Sequence, residues 1–203
     1  MHPYVAESRN RVFLYILLAG LSIALTWMFQ AAIRALGWNL PWWIETPSIL
    51  GVFGLLWKAY DKWMWDWRLS RTFGWTDVPN ISGKWSARVD FERSGWRQSA
   101  FGTATIRQTS SRLSVVIRWD ASRSHSVSAV MQIGDAGTPE LIYQYINQPS
   151  ADAVDTMYIH KGTAWLEVIK SCLIVGEYYS GRGRNQSGSL TLQRNTTSNP
   201  ISA

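Results

Sequence analysis

The chain has 203 residues, a formal net charge of +6 and 13 tryptophans. This length accommodates one domain of ordinary size with an appendage and excludes a protein with two full catalytic domains. Eight of the tryptophans lie between positions 38 and 75, a concentration typical of segments at the boundary between lipid and water.

The first predicted element is a transmembrane helix. Residues 12–33 form a stretch of 22 residues without a formal charge. At a rise of about 1.5 Å per residue, such a helix can cross a hydrocarbon core of roughly 30 Å. The stretch is longer than the apolar core of a secretory signal and has no small-residue cleavage site, so we expect it to stay in the protein.

A second apolar segment, residues 38–57, is interrupted by Pro41, Glu45 and Pro47. Its composition is compatible with a membrane span or with a helix that lies in the interface. Lys and Arg occur on the outer flanks of the two segments and not in the connection 37–46, which places both flanks in the cytoplasm. We therefore predict a two-helix transmembrane hairpin, with an interfacial second segment as the alternative.

The residues after the hairpin change in character. Residues 58–75 mix aromatic and charged side chains, as in a helix that leaves the bilayer through the headgroup zone. We assign residues 1–79 to the transmembrane hairpin with this juxtamembrane helix, and residues 196–203 to a disordered tail. After residue 81 the apolar residues recur with a period of two, which indicates short strands. Eight strands are predicted, at 83–91, 96–108, 113–120, 124–134, 140–148, 160–170, 172–180 and 188–194.

These strands are joined by short connections that contain glycine, such as 93–95 and 135–137. Such connections favour sequential antiparallel pairing. The simplest closure is an eight-stranded antiparallel up-and-down β-barrel over residues 80–195, whose interior can hold one small ligand. A two-sheet sandwich is the alternative. The 13 basic and 9 acidic residues between 81 and 194 argue against an outer-membrane barrel, which needs an apolar outer band.

The residue patterns of an enzyme or a metal site are missing from the sequence. Cys172 begins an apolar strand and is interpreted as a core thiol. The cysteine and the three histidines have no metal-ligand spacing. The glycine-rich run 181–188 matches neither the dinucleotide-binding fingerprint nor the phosphate-binding loop with its lysine. We therefore predict a protein that is not an enzyme and has no cofactor and no metal.

Polar and aromatic residues on the late strands form the candidate ligand site. Tyr143, Tyr145 and Asn147 share one face of a strand, and aromatic rings stack on nucleobases. Arg182 and Arg184 supply guanidinium groups suited to phosphates. The alternative is that the tyrosines belong to the core or to outward cross-strand pairs and that the arginines lie in a solvated turn.

Two further groups are ambiguous from the sequence. His160 and Lys161 begin a strand, where the imidazole could contact a base edge or a phosphate, or could be purely structural. Hydroxyl side chains recur at period two along 122–128, and this row lines either the lumen or the outer face of the sheet: Ser122, Ser124, Ser126 and Ser128.

The order of several motifs resembles a known family. The motifs are YQYINQP at 143–149, HKGTA at 160–164, GEYYSGR at 176–182 and SGSL at 187–190. With the preceding hairpin, they resemble the two-transmembrane β-barrel effectors of bacterial cyclic-oligonucleotide-based anti-phage signalling (CBASS), over essentially the whole chain. The resemblance implies a receptor for a cyclic dinucleotide that a nucleotidyltransferase makes upon infection. The effector then forms a homo-oligomer and disrupts the bacterial inner membrane.

The resemblance also implies a cytoplasmic barrel and no DNA or RNA partner. Two functions of other classes remain as alternatives, a lipocalin-like membrane-anchored carrier of an apolar ligand and an adaptor that binds a protein partner. The ligand contacts implied by the resemblance are Tyr145, Asn147, Thr163 and Arg182, with Tyr143, His160, Lys161, Tyr178 and Arg184 as further candidates.

Overall fold

The computed structural model describes residues 1–37, 42–93, 96–153, 158–181 and 186–194. The chain divides into two compact units. The helical unit consists of residues 8–77, and the β-unit combines residues 1–7 with the chain from residue 78 onward.

The helical unit contains one helix, among the described residues, that is long and apolar enough to cross a membrane. This helix has 25 residues, and an 18-residue window within it has a mean hydropathy of 2.2, which confirms the apolar N-terminal helix predicted from residues 12–33. Whether the second apolar segment also spans stays a prediction. The helices are α1 (Arg11–Ala35), α2 (Trp42–Ala59) and α3 (Arg68–Thr72), with a π-helical turn at Tyr60–Met64.

One stripe of α1 carries its buried side chains. Leu14 and Leu18 belong to one apolar cluster with Phe53 and Leu56 of α2. Because side chains four residues apart lie on the same helix face, the stripe continues along α1. Its later members are small or polar, as is common where membrane helices approach each other. The buried residues of α1 are Leu14, Leu18, Ser22, Thr26 and Gln30.

The β-unit is a closed barrel of eight antiparallel strands. Each of the eight strands pairs with the next in the chain, and the last strand, Ser187–Arg194, closes the barrel on the first, Gly83–Arg93. The predicted up-and-down barrel is confirmed, and the two-sheet alternative is wrong because each barrel strand has a neighbour on both sides. The strands are β3 (Gly83–Arg93), β4 (Trp96–Gln108), β5 (Arg112–Trp119), β6 (Ser122–Ile133), β7 (Pro139–Pro149), β8 (His160–Lys170), β9 (Leu173–Ser180) and β10 (Ser187–Arg194).

The start of the chain completes the seam between β5 and β6. These two strands pair directly only over residues 116–118 and 123–125. Where they diverge, β1 (His2–Pro3) pairs with β5, and β2 (Val5–Ala6) runs parallel to β6. The sequence analysis did not anticipate this segment, because two-residue strands are too short to show a periodicity.

Tyr4 anchors the N-terminal segment through a buried polar network. Its hydroxyl donates to the carbonyl oxygen of Thr109 at 3.2 Å and accepts from Nε2 of Gln108 at 3.1 Å. The side-chain oxygen of Gln108 in turn accepts from the amide of Ile81 at 2.9 Å. The network therefore ties the chain start, the entry to β3 and the end of β4 together.

We expect Tyr4→Phe to lower the free energy of unfolding by about 1 kcal/mol, because the buried amide of Gln108 loses one of its acceptors. Denaturant titration of the full-length protein in detergent measures this change. Tyr158→Phe is the control, since Tyr158 is exposed. Equal stability of the two variants would contradict the anchoring role.

The barrel interior is apolar at one end. Here the inward side chains are large and at most 1% exposed, so this half is filled as in an ordinary core. Towards the other end of the same strands the inward positions become small, polar or aromatic. The filling residues are Trp85, Ile106, Leu113, Met131, Leu141, Leu166, Ile174 and Leu192.

Candidate ligand-binding cavity

A cavity of about 410 Å³ lies at the end of the barrel away from the apolar filling. Its size is in the range of small-molecule sites, roughly 300–1,000 Å³. Small inward side chains on three strands leave this space: Ala100 on β4, Ser124 on β6 and Ser180 on β9.

The inward face of β7 supplies Tyr143, Tyr145 and Asn147. They line the cavity and are 3%, 8% and 4% exposed. The ring centroids of the two tyrosines lie 6.2 Å apart at an angle of 55°. The sequence left the orientation of this strand open, and the structure turns these three residues inward.

The phenol of Tyr143 is a neutral group in this setting. Burial raises the pKa of Tyr143 above its ordinary value, and the neighbouring Tyr145 adds to the effect. The hydroxyl of Tyr145 lies 3.5 Å from the carbonyl oxygen of Tyr179, to which it donates. The pair therefore presents aromatic faces and hydroxyl groups to the cavity.

A chain of hydrogen bonds orients Asn147. The indole Nε1 of Trp119 donates to the Ser124 hydroxyl at 3.2 Å, and that hydroxyl donates to Oδ1 of Asn147 at 2.9 Å. Ser124 and Trp119 also line the cavity, although the sequence analysis did not select them as ligand contacts. Their inward placement follows the alternation of β5 and β6, which was visible in the sequence but did not specify which face points inward.

A β-bulge explains why three of the four serines at 122–128 point into the barrel and the fourth does not. Ser122, Ser124 and Ser126 are buried inside the barrel, whereas Ser128 is exposed. The register of β6 against β7 shifts between Ser126 and Ser128. One extra residue reverses the alternation, so the remainder of β6 turns Ala129 and Met131 inward.

The candidates on β8 and β9 divide between the two faces of the barrel wall. His160 and Tyr178 line the cavity, and Nδ1 of His160 lies 3.1 Å from the carbonyl oxygen of Tyr158. Lys161 and Thr163 alternate with inward positions of β8 and lie on the outer face. The structure does not bring these two side chains to the cavity, because adjacent residues of a strand point to opposite faces.

Arg182 and Arg184 fall outside the described residues. The residues on either side are anchored at the cavity, since Ser180 and Gln186 both line it. The carbonyl oxygen of Gln186 accepts from the amide of Ser180 at 2.8 Å and from its hydroxyl at 2.9 Å.

Gly162 allows Tyr145 to lie flat against β8. The two residues are directly opposite each other in the β7–β8 register. A Cβ atom at position 162 would lie 2.4 Å from the Tyr145 hydroxyl oxygen and 2.3 Å from the carbonyl oxygen of Tyr179. Both distances are shorter than any stable non-bonded contact, so only glycine fits this position.

We expect Gly162→Ala to lower the free energy of unfolding by about 1–3 kcal/mol, because the added methyl group displaces the Tyr145 ring. Thermal unfolding measures the change. Gln148→Ala is the control, since Gln148 is exposed on β7. A loss no larger than that of the control would contradict the close contact.

The chemistry of the lining favours a flat, hydrogen-bonding ligand. Tyr143, Tyr145 and Trp119 provide aromatic surface, and the serine hydroxyls and Asn147 provide polar groups. Among the residues that the structure describes, no group of three or more His, Cys, Asp or Glu side chains is placed to hold a metal ion.

Residues 76–194 match the family model described as Cap15, cyclic dinucleotide receptor domain, which covers more than half of the chain. The chain belongs to the Cap15 family. This confirms the resemblance to a CBASS effector that was drawn from the motifs. The matched range contains all eight barrel strands and therefore every cavity residue named above.

A relative of similar length supports the same assignment. CD-NTase-associated protein 15 of Yersinia aleksiciae is 29% identical over 210 residues, covering 95% of this chain and 97% of that protein. The similarity therefore extends beyond the Cap15 domain into the helical unit. Membership in a receptor family points to a protein that acts by binding rather than by catalysis.

Proposed function

We propose that the chain is a cyclic-dinucleotide-gated membrane effector of antiviral defence. It binds its signal inside the barrel, oligomerises through its transmembrane helices and disrupts the bacterial inner membrane. The observation that carries this proposal is the convergence of Tyr143, Tyr145 and Asn147 on a cavity within the Cap15 domain.

The bases of a cyclic dinucleotide match the described lining. Tyrosine rings stack on bases without regard to sequence, and the Asn147 amide, held by Ser124, reads a base edge. An aliphatic ligand would offer the hydroxyl and amide groups of the lining no hydrogen-bonding group, whereas a nucleotide offers several. The lining therefore favours a nucleotide over the apolar cargo of a carrier.

The phosphates need cationic or polar partners. We assign this role to Arg182 and Arg184, because Ser180 and Gln186, the described residues on either side of them, both line the cavity. Guanidinium groups bind phosphate oxygens through paired, charge-assisted hydrogen bonds.

The membrane response requires that the ligand bind the assembled state better than the free one. In the helical unit, Gly20, Gly51 and Gly54 have nothing within 4 Å of their Cβ positions. Such positions allow close approach of helices from other copies. The name of the Yersinia relative, a CD-NTase-associated protein, supports a nucleotidyltransferase as the source of the ligand.

Thermal unfolding of the full-length protein in detergent, against a panel of cyclic di- and trinucleotides, tests the receptor function. A ligand at about 100 times its Kd stabilises the native state by about 2.7 kcal/mol, which is a clear rise in Tm. We expect at least one cyclic dinucleotide to produce it. Asn147→Ala should reduce the rise, whereas Gln148→Ala, on the exposed side of β7, should not. No stabilisation by any cyclic dinucleotide would overturn the proposal.

A further inference from the structure

The β3–β4 hairpin extends past the rim of the barrel. β4 pairs with β3 along its length from Trp96, but its pairing with β5 begins only at Gly102. Within the described parts of the chain, residues 96–101 therefore have a neighbouring strand on one side only. We refer to residues 96–101 as the β4 edge.

Among the described residues, the backbone groups of the β4 edge that point away from β3 have no partner strand. Arg93 and Trp96 face each other across a two-residue connection, so they form a hydrogen-bonded pair. By alternation, Arg97 and Ser99 direct their N–H and C=O groups away from β3. The side chain of Trp96 is 76% exposed and that of Phe101 is 65% exposed. An edge of this kind is a template for another strand.

A second copy of the same edge fits this template. In an antiparallel pair centred on Gln98, Arg97 of each copy lies opposite Ser99 of the other. These are the residues whose backbone groups point outward from the edge, so the pairing satisfies them in both copies. The contact is self-complementary about a two-fold axis, as expected for a homodimer.

The charged side chains on the outer face of the β3–β4 hairpin favour this register. Within one copy, Asp90 lies opposite Ser99 and Glu92 lies opposite Arg97. In the pair, Arg97 of the second copy lies opposite Ser99 and therefore in line with Asp90. Basic and acidic side chains then follow each other across the sheet that the two copies form together. The hydroxyl of Ser99 and the guanidinium of Arg88 lower the pKa of the Asp90 carboxyl, which keeps it ionised.

The opposite face of the sheet that the two copies form points to the ligand cavity. Trp96, Gln98 and Ala100 lie on the face of β4 that points to the lumen, as does the buried Ala104. In the same register Trp96 of the second copy lies opposite Ala100, whose small side chain leaves room for the indole. Ala100 lines the cavity, so the partner indole lies at the cavity mouth.

We propose that the β4 edge pairs with the β4 edge of a second copy and that Trp96 of each copy covers the mouth of the ligand cavity of the other. Ligand binding and pairing then strengthen each other to the same degree. The coupling rests on the proposed function for its ligand. A six-residue edge pairs weakly by itself, and confinement of both copies to one membrane raises their effective concentration.

Disulfide trapping in liposomes tests the register without ligand. In the full-length chain with Cys172→Ser, Gln98→Cys places two Cα atoms about 4.5 Å apart in the pair, within the range of a disulfide. Gln144→Cys is the control, since Gln144 is exposed on β7, away from the edge. We expect about tenfold more linked dimer from Gln98→Cys. Equal yields would overturn the pairing.

A proline substitution at Ser99 tests the pairing and its coupling to the ligand. The Ser99 N–H points away from β3, so Ser99→Pro removes an edge donor without removing a ladder hydrogen bond. Ser99→Ala keeps the donor and serves as the control. Energy transfer between labelled chains in liposomes is measured with and without a mixture of cyclic di-AMP, cyclic di-GMP and cyclic di-UMP. We expect Ser99→Pro to reduce the paired fraction about tenfold relative to Ser99→Ala.

The two proposals fail in different ways. If a cyclic dinucleotide raises the Tm but Ser99→Pro and Ser99→Ala pair equally, the edge inference is overturned and the receptor function stands. If no nucleotide binds but Gln98→Cys cross-links, the receptor function fails and the pairing stands. Trp96→Ala should weaken nucleotide binding about tenfold if the indole covers the ligand, and unchanged binding would overturn that part.

Discussion

Tyr145→Ala is expected to weaken cyclic dinucleotide binding by about tenfold to a hundredfold, since stacking on an aromatic ring contributes about 1–3 kcal/mol per base. The ring is 8% exposed and lies between Tyr143 and Gly162 on the cavity wall. Removing it takes away the stacking surface and also enlarges the space around the ligand. Isothermal titration calorimetry of the full-length protein in detergent measures the loss.

Two variants separate stacking from other effects at this position. Tyr145→Phe keeps the ring and removes the hydroxyl, so it should retain most of the affinity. Gln144→Ala changes the adjacent exposed position of β7 and should bind as the unaltered protein does. Unchanged affinity of Tyr145→Ala, with a cooperative unfolding transition, would show that no base stacks on this ring.

Trp85→Ala is expected to lower the free energy of unfolding by about 3–5 kcal/mol, because a large buried side chain leaves a cavity that the barrel cannot close. Trp85 is 0% exposed in the filled half of the barrel. Its indole donates to the carbonyl oxygen of Ile81 at 3.1 Å, and the Arg194 guanidinium lies 4.7 Å from the ring centroid. The substitution removes all of these contacts at once.

Denaturant titration measures this loss, with Trp165→Ala as the control. Trp165 lies on the outer face of β8 and is 46% exposed, so its truncation should cost much less. A comparable loss in the two variants would mean that the inner and outer faces of the barrel contribute equally, which contradicts the packing described here.

The existence of the strands could be predicted from local patterns. The predicted segments 96–108 and 160–170 coincide with β4 and β8, and the other strands begin and end within two residues of their predicted bounds. Alternation of side chains and glycine-containing turns depend on neighbouring residues only, so they are visible in the sequence. The uncharged stretch of α1 is also visible in the sequence, because it depends only on neighbouring residues.

The inward face of each strand could not be predicted in the same way. β7 carries apolar residues on both faces, with Leu141 inward and Ile142 on the outer face. On β6 the inward residues at the cavity are serines, which a pattern of apolar residues cannot identify as interior. For Lys161 and Thr163, the motif gave the right strand but not the side of the wall on which each residue lies.

The sequence by itself determined an apolar N-terminal helix, eight strands in antiparallel order and membership in a cyclic dinucleotide receptor family, since these depend on composition, short-range periodicity and motif order. Only the tertiary structure decided which side chains enclose the cavity, how the chain start completes the β5–β6 seam and where β4 is left without a neighbour. The physical reason is that closing the barrel brings distant parts of the chain together. The register between strands, the bulge after Ser126 and the unequal lengths of adjacent strands arise from pairings between distant residues, which no local pattern contains.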